Sequence, residues 1–479
     1  MGPDHLKFGG GVTETVLNPA VLLLVIIAGI LLCVWPRRKA IAVFLAAGLL
    51  VPMDQVLLIG PAHFPMLRLL VLFGLVRIVR EKASTKRPVF SGGINKIDIL
   101  VILLTAATAV NGILLFGESG AVIYQLGSAY TVLGVYFLLR FLVRDEQDIV
   151  RVIQTLAGIA TFVAGIMVYE LMAGHNPYAL LGGANSHAYA TLMERDGKLR
   201  AIGCFSHPIL AGTFGAVLLP VFVGLWWKDR KYRKIAVLGM VSSTVMTLAC
   251  NSSTPMLAYL AGVLALCMWP VRQWMRVVRW GILLTLVSLH LVMKNPVWHL
   301  ITRIDLSGGS SSWHRFMLVD QCIRHFGDWW LMGVKDTSAW GWDMWDTANQ
   351  YVGTCDNSGL LPFLLFVAIL VYGFKFLGRA RRTMDKDKAK NNDKTPALFL
   401  WALGSALFAN VVAFFGISYF DQTIVMWYGL LAMISAAVAL PVQKKAAQPQ
   451  VRPTWDSLIS SPQAAPEAVG EQLTPEEAV

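Results

Sequence analysis

PVWHLITRIDLSGGSSSWHRFMLVDQCIRHFGDWWLMGVKDTSAWGWDMWDTANQYVGTCD, Pro296 to Asp356, lies between two long apolar runs and resembles neither. It carries Arg303, Arg315 and Arg324, the histidines His299, His314 and His325, and seven tryptophans from Trp298 to Trp345. Six acids run from Asp305 to Asp346, with Asp356 at the edge. Connections beyond about 12–15 residues are uncommon unless functional or disordered, and a segment this aromatic lacks the composition of disorder. The stretch is expected to be an ordered cap on a membrane domain, with recognition or chemistry beneath it.

The chain on either side supports the membrane. Of its 479 residues 56% are hydrophobic and 15% charged, with mean hydropathy +0.58, a balance that soluble domains do not carry. The first apolar run, Val16 to Trp35, lacks the basic flank and small-residue cleavage pattern of a signal peptide and reads as a retained span. At about 20 residues per crossing, spans fall near 17–35, 40–59, 63–79, 97–116, 121–143, 149–172, 206–227, 235–250, 255–270, 278–295, 357–377, 397–417 and 422–440. The expected fold is all-α: a polytopic membrane protein of about 12–13 transmembrane helices with a large ordered periplasmic loop. Its parts are N-terminal helices over 1–172, a first loop and central helices over 173–295, the large loop over 296–356, C-terminal helices over 357–442, and a tail over 443–479.

Net charge +12 would suggest nucleic acid in a soluble protein. Here its distribution excludes that partner. Seven alternate connections (37–39, 77–96, 140–151, 228–234, 272–279, 375–394 and the tail) hold 31 of the 41 Lys and Arg. The positive-inside rule puts that side in the cytoplasm, the N-terminus outside and the C-terminus inside. The last basic connection, Arg379 to Lys394, is expected to be a solvated segment touching anionic lipid. The Pro-, Ala- and Glu-rich tail is expected to be disordered. No phosphate-cradling Gly loop appears, which weighs against ATP-driven transport.

Several charges near the opposite side stand out. Arg68 either snorkels to headgroups or presents a fixed cation to a lipid phosphate. Glu170 ends the sixth span before a Gly174-His175-Asn176-Pro177 turn. Arg200 is the last charge before the seventh span, where Pro208 suits the first helical turn and Ser206 is the expected N-cap. An arginine beside a helix start makes an anion site. Asn251-Ser252-Ser253-Thr254-Pro255 reads as a polar turn, since no base for a nucleophilic serine stands nearby.

Within the large loop Phe316, Val319, Ile323 and Phe326 recur at helical spacing, with Ser311 or Ser312 as cap and Asp320–Arg324 as a surface pair on the other face. Arg315 falls in the first turn, where the helix dipole opposes a cation; a bound anion would remove that conflict, and Gly308-Gly309 would add N–H donors. Tryptophans interleaved with Asp336, Asp343 and Asp346 suit sugar rings, or else an interfacial aromatic belt. Cys322 and Cys355 are placed where a disulfide could persist. No cysteine or histidine spacing argues for a metal, and no cofactor is expected.

The order of these features is familiar. Arg200 with Gly203-Cys204-Phe205-Ser206-His207-Pro208 resembles the Arg-x-x-Gly-x-Phe-x-His-Pro entry of the O-antigen ligase and polymerase superfamily. Arg303, then Ser312-Trp313-His314-Arg315, then Asp328 to Gly333, is similar to that family's large periplasmic loop. Asn349-Gln350-Tyr351 with Asn357-Ser358-Gly359-Leu360-Leu361 is similar to its loop exit. The likeness covers about Leu199 to Phe376, plus Arg68.

What the resemblance implies is a GT-C-type, metal-independent glycosyltransferase of a bacterial inner membrane. It would pass a glycan from undecaprenyl diphosphate to the hydroxyl of a glycan, lipid or protein acceptor on the periplasmic side. Arg200 and Arg315 would hold the departing diphosphate, with Arg68 and Arg303 in support, because guanidinium pairs with phosphate and does not deprotonate. His207, Asn349, Trp313, Trp342 and Tyr351 would line the substrate, and His314 or Asp346 would serve as base. The chain departs from the family at Ala348, where a His precedes the Asn, and at Thr254, where a Ser-Arg turn is usual. The rival readings are a flippase of lipid-linked sugars and a scaffold of envelope polysaccharide assembly.

Overall fold

The computed structural model describes residues 14–52, 54–84, 88–183, 193–195, 197–303, 312–391 and 395–447. The readings at Asp305, Gly308-Gly309 and Ser311, and most of the tail, lie outside them. The chain divides into two units, Met1–Pro441 and Val442–Val479. Only 442–447 of the second are described, as the end of the last helix.

Among the described residues helix takes 76% and strand appears as two short hairpins, so the protein is all-α. The order is α1 Pro19–Val34, α2 Arg37–Leu50, hairpin β1 Val56–Ile59 and β2 Ala62–Pro65, α3 Met66–Ser84, α4 Lys96–Phe116, α5 Ser119–Leu142 and α6 Glu146–Ala173. Hairpin β3 Met193–Arg195 and β4 Lys198–Arg200 follows, then α7 Pro208–Lys228, α8 Arg233–Ala249, α9 Ser253–Cys267 and α10 Met275–Val292. A 3₁₀ segment Val297–Arg303 leads to α11 Ser312–Arg324, a single turn α12 Phe326–Trp329, α13 Gln350–Ser358, α14 Leu360–Asn391, α15 Thr395–Ala413 and α16 Thr423–Ala447. Local chemistry sets these bounds. Capping boxes at Asn95/Asp98 and Asp145/Asp148 start α4 and α6, and left-handed Gly117 and Gly174 end them.

Among the described residues seven helices are long and apolar enough to cross a membrane: α4, α5, α6, α7, α10 with the turn before it, α14 and α15. Helices α1, α9 and the apolar part of α16 are shorter. Two expected boundaries are corrected. The 40–59 span is helix only to Leu50; the chain passes Pro52 and continues as strand β1, paired with β2. The basic segment from Arg379 is not a loop, because α14 carries straight on to Asn391.

Helix α7 is the axis of the bundle. It is buried almost all round, packed by α8, α9 and α15. The close approach to α8 requires Gly215, where a Cβ would lie 2.9 Å from the Ser243 carbonyl oxygen. By contrast α10 buries none of its residues. Helices α6 and α7 run antiparallel: Lys228 pairs with Glu146 at one end, and Glu170 meets Ile202 and Gly203 at the other.

The end bearing Lys228 is tied by ion pairs. Arg37 bonds Asp148, and Arg144 donates to Glu81 at 3.0 Å. Deepest is Arg140, which pairs with Asp98 at 3.2 Å and donates to the carbonyls of Ser91 and Gly93. Asp98 also accepts from the Tyr136 hydroxyl at 2.5 Å. Removing one partner of such a buried pair strands the other's charge, at about 3–5 kcal/mol. Asp98→Ala is therefore expected to lower the thermal midpoint of the detergent-solubilised protein sharply, and Asp98→Leu/Arg140→Leu together to lower it much less. Equal losses from the single and the double variant would show that charge pairing is not what stabilises this end.

Candidate functional site

The passage from β4 into α7 is built around a buried carboxylate. Glu170, in the last turn of α6, accepts the Ile202 and Gly203 backbone N–H groups at 3.0 and 2.9 Å. Asn176 donates to the Gly203 carbonyl at 2.7 Å. Gly203 has φ +62, and a Cβ there would press on Val163 at 3.0 Å, so the turn calls for glycine. Glu170 is thus a structural anchor rather than a group at the water boundary.

The same passage corrects the helix cap. Pro208 occupies the first helical position, and the residue before it, His207, is the N-cap; its Nδ1 accepts from the Ile209 N–H at 3.2 Å. Ser206 turns away and donates to the Asp421 carboxylate. Since Nδ1 accepts, Nε2 carries the proton of the neutral ring and is a donor.

Arg200 is only 6% exposed. Its Nε donates to the Cys250 carbonyl at 3.2 Å, and its Nη2 finds no hydrogen-bond partner among the described residues. The Asn251–Pro255 turn holds that carbonyl: Asn251 adopts φ +41 and donates through Nδ2 to the Leu199 carbonyl at 2.7 Å. Ala201 N–H donates to the Ala249 carbonyl at 3.1 Å. Burial draws the pKa of the Arg200 guanidinium down from its usual value. Burial, then the charges of Arg200 and Arg195, push His207 down to about 4. Cation, neutral imidazole donor and helix N-terminus therefore meet at one spot, the combination that receives an anion. The cations acting on His207 are Arg200 and Arg195, not Arg68, Arg303 or Arg315.

No known protein-family model matches the chain, and no curated protein matches it in sequence.

The connection from Phe414 to Gln422 joins this spot to the far segment. On one side Gln422 donates to the Cys204 carbonyl at 2.8 Å, and Thr254 to that of Gly416 at 3.3 Å. On the other, Ser418 donates to the Thr347 carbonyl at 2.7 Å, Asn349 Nδ2 to that of Phe415 at 3.2 Å, and Gln350 N–H to that of Phe414 at 2.8 Å. Asn349 is buried and caps α13 through its side chain, accepting from Tyr351 and Val352 N–H. Tyr351 donates to the Val411 carbonyl at 2.9 Å and packs on Phe414, Phe415 and Phe366. Burial raises its phenol. Both residues brace the fold of the segment.

The remaining predicted residues divide. Arg315 is buried on α11, on the face it shares with Leu318 and Cys322. Of the Phe316, Val319, Ile323 and Phe326 stripe, Phe316 is buried but Ile323 and Phe326 are exposed, so the inner face is turned toward Arg315, Leu318 and Cys322. Asp320 is buried too, accepting from Trp298 Nε1 at 3.0 Å as well as from Arg324 at 2.6 Å, so it is no ordinary surface pair. His314 Nε2 lies 3.0 Å from the Asp346 carbonyl oxygen, which brings the two candidate bases together; burial raises the Asp346 carboxyl. Trp313 packs on His299 and Phe316. Trp342 is 94% exposed, and Arg303 is exposed. Arg68 bonds the His63 carbonyl and Thr131 Oγ1, which fastens α3 to α5.

Three participants escaped sequence reasoning. Arg195 is brought near by the β3–β4 hairpin, where it pairs with Lys198. Asp421 joins through Ser206. Asp356 is buried on α13, and burial lifts its carboxyl to about 7 despite bonds from Thr347 and Asn357. The one available signal was the polar Asp421-Gln422 pair opening an apolar helix. Among the described residues no group of three or more His, Cys, Asp or Glu could hold a metal ion.

His207 yields a pH prediction. Its folded pKa lies below the ordinary value of about 6.5, so folding favours the neutral ring. That stability is complete above about pH 6.5 and is lost as pH falls toward about 4, by at most about 3 kcal/mol. Thermal melts from pH 7.5 to 4.0 are expected to show this loss, and His207→Gln to flatten it. An unchanged slope in the variant would remove His207 as its source.

Proposed function

We propose that the protein is an integral-membrane glycosyltransferase, acting as a polysaccharide polymerase or O-antigen ligase on the periplasmic face of a bacterial inner membrane. It takes a glycan from undecaprenyl diphosphate and passes it to an acceptor hydroxyl. The observation that carries this reading is Arg200: a guanidinium 6% exposed, with Nη2 unsatisfied among the described residues, beside the neutral His207 donor at the start of α7. The excess of Lys and Arg in the connections at the other end supports the orientation.

The chemistry follows from where charge grows. As the anomeric carbon–oxygen bond breaks, negative charge accumulates on the departing diphosphate. Arg200 Nη2, His207 Nε2–H and the α7 N-terminus are already oriented for it, so they stabilise the transition state without rearranging. Arg195 adds its charge here; Arg315, Arg303 and Arg68 are kept as supporting cations away from this spot, and Asn349 and Tyr351 act by bracing the segment rather than by touching the diphosphate. The acceptor's proton goes to His314 or Asp346, and the raised Asp356 carboxyl is a third candidate base.

One cavity favours the transferase over the rival. About 270 Å³ opens among α4, α5, α13 and the Phe414–Tyr428 region, lined by Thr105, Gln125, Ser128, Gln350, Thr354 and Trp427 among others. It carries hydroxyls, amides and aromatic rings but no charged side chain. A path for a lipid diphosphate would need cations along it.

Arg200→Ala is expected to cut glycan transfer by about 10²–10³-fold while the protein still inserts, with Arg200→Lys recovering little because the fork is lost. Arg315→Ala is expected to act in the same direction. The assay is purified protein in vesicles with a lipid-linked oligosaccharide and an acceptor glycan, read by product mass. Full transfer by both alanine variants would end the proposal. Relocated but chemically unchanged lipid would establish the flippase instead.

A further inference from the structure

The six cysteines fall into two kinds. Cys33, Cys204 and Cys250 each donate a thiol hydrogen bond to a backbone carbonyl, of Phe73, Leu49 and Thr247 respectively. That is how a cysteine kept as a small apolar side chain behaves. Cys267 is exposed at the end of α9. Cys322 and Cys355 differ: they are two buried thiols in one cluster, and the nearness of Cys322 together with burial raises the Cys355 thiol. They are 5% and 4% exposed and lie in one apolar cluster with Leu318, Trp329, Met344 and Val352.

The two backbones are held at this separation by independent contacts. Trp329 Nε1 donates to the Cys322 carbonyl at 2.6 Å, and Gly359 N–H to the Cys355 carbonyl at 2.7 Å. Helices α11 and α13 pack directly on one another. Two cysteines that share one buried cluster on two packed helices are placed for a disulfide to join them.

We infer that Cys322 and Cys355 are an oxidation site, joined in the working protein as a disulfide that staples α11 to α13. The inference rests on the periplasmic placement of this segment in the reading above, and not on glycan transfer. The oxidant is a disulfide donor of the thiol–disulfide exchange class. One cysteine thiolate attacks a donor sulfur, forming a mixed disulfide and expelling a donor thiolate. The second cysteine thiolate then attacks the first cysteine's sulfur, the intramolecular S–S bond forms, and the other donor thiolate leaves. The chain gives up two protons and two electrons, and the donor ends as a dithiol. Because both sulfurs are buried in the packed cluster, exchange precedes the docking of α11 on α13. The bridge would tie the helix carrying Arg315 to the helix capped by Asn349.

The test is a thiol count on the full chain. Cells are quenched with acid, the protein is denatured and alkylated with N-ethylmaleimide, and the intact mass is read. Four adducts are expected, on Cys33, Cys204, Cys250 and Cys267, rising to six after reduction, with a non-reduced peptide linking Cys322 to Cys355. Cys322→Ser alone is expected to give five and C322S/C355S four. Sidedness is read separately by a membrane-impermeant maleimide on a Trp342→Cys variant. Six adducts without reduction would overturn the bridge, whichever way Trp342→Cys labels. Labelling from outside would then leave the periplasmic placement standing, and failure to label would remove both.

Discussion

The arrangement depends on one carboxylate taking two backbone N–H groups. Glu170 sits on α6 within the apolar bundle, where an ionised group without partners would be costly. Ile202 and Gly203 supply those partners, and in doing so they fix where the chain turns after β4. That turn decides which residue precedes Pro208 and becomes the N-cap. It also decides that Arg200 lies inward against the Cys250 carbonyl instead of outward in water. Both N–H groups go to the one oxygen, Oε2, so a Gln at 170 could still accept them through its carbonyl, but its NH₂ would bring donors where Glu170 has only an acceptor.

The Phe414–Gln422 connection explains how parts far apart in sequence become one site. Its carbonyls and side chains bond the 204 and 254 regions on one side and the 347–350 region on the other. These are backbone and amide bonds in largely buried surroundings, where an unmade partner is more costly than the bond itself is stabilising. The connection therefore behaves as a rigid coupling. A shift of α13 would have to break several of these bonds before it could leave the Cys204–His207 passage unmoved.

How much of this was legible follows from which signals are local. The all-α membrane class came from runs of apolar residues, and the start of α7 came from Pro208; Asn95 and Asp145, which cap α4 and α6, are signals of the same local kind that the hydropathy reading did not use. Arg200 and His207 were visible as a charge and an imidazole at a span entry. The helix limits that failed, at 40–59 and beyond Arg379, failed because hydropathy reports burial in lipid and not backbone conformation. Pro52 ends one helix inside an apolar run, while α14 continues through a basic one. The inner face of α11 was misjudged because Ile323 and Phe326 were counted as core for being apolar, and Asp320, which is buried, was assigned to a surface pair. Arg195 and Asp421 were out of reach for another reason: their placement depends on a pairing across the hairpin or across more than two hundred residues, which no local period records; Asp356 stood in view at the edge of the loop, but nothing local marks its burial.

What separates Arg200 from the buried Arg140 and Arg77 is the sign of its surroundings. Arg140 is as deep, but Asp98 stands 3.2 Å away and neutralises it. Arg77 has Glu81 at 3.9 Å. Arg200 has no carboxylate in ion-pair range among the described residues; the charged group acting on it besides the nearby Cys250 thiol is another cation, Arg195. Lysine in such a place would shed its proton, whereas guanidinium holds its charge and so keeps the full cost of desolvation. A cost of that kind persists only where something offsets it, and a fixed cation among a neutral imidazole donor and a helix N-terminus is offset by an arriving anion. On the function we propose, that cost would be offset most when the anion's charge is greatest, as a diphosphate departs, which is how such a site would lower a barrier rather than only bind.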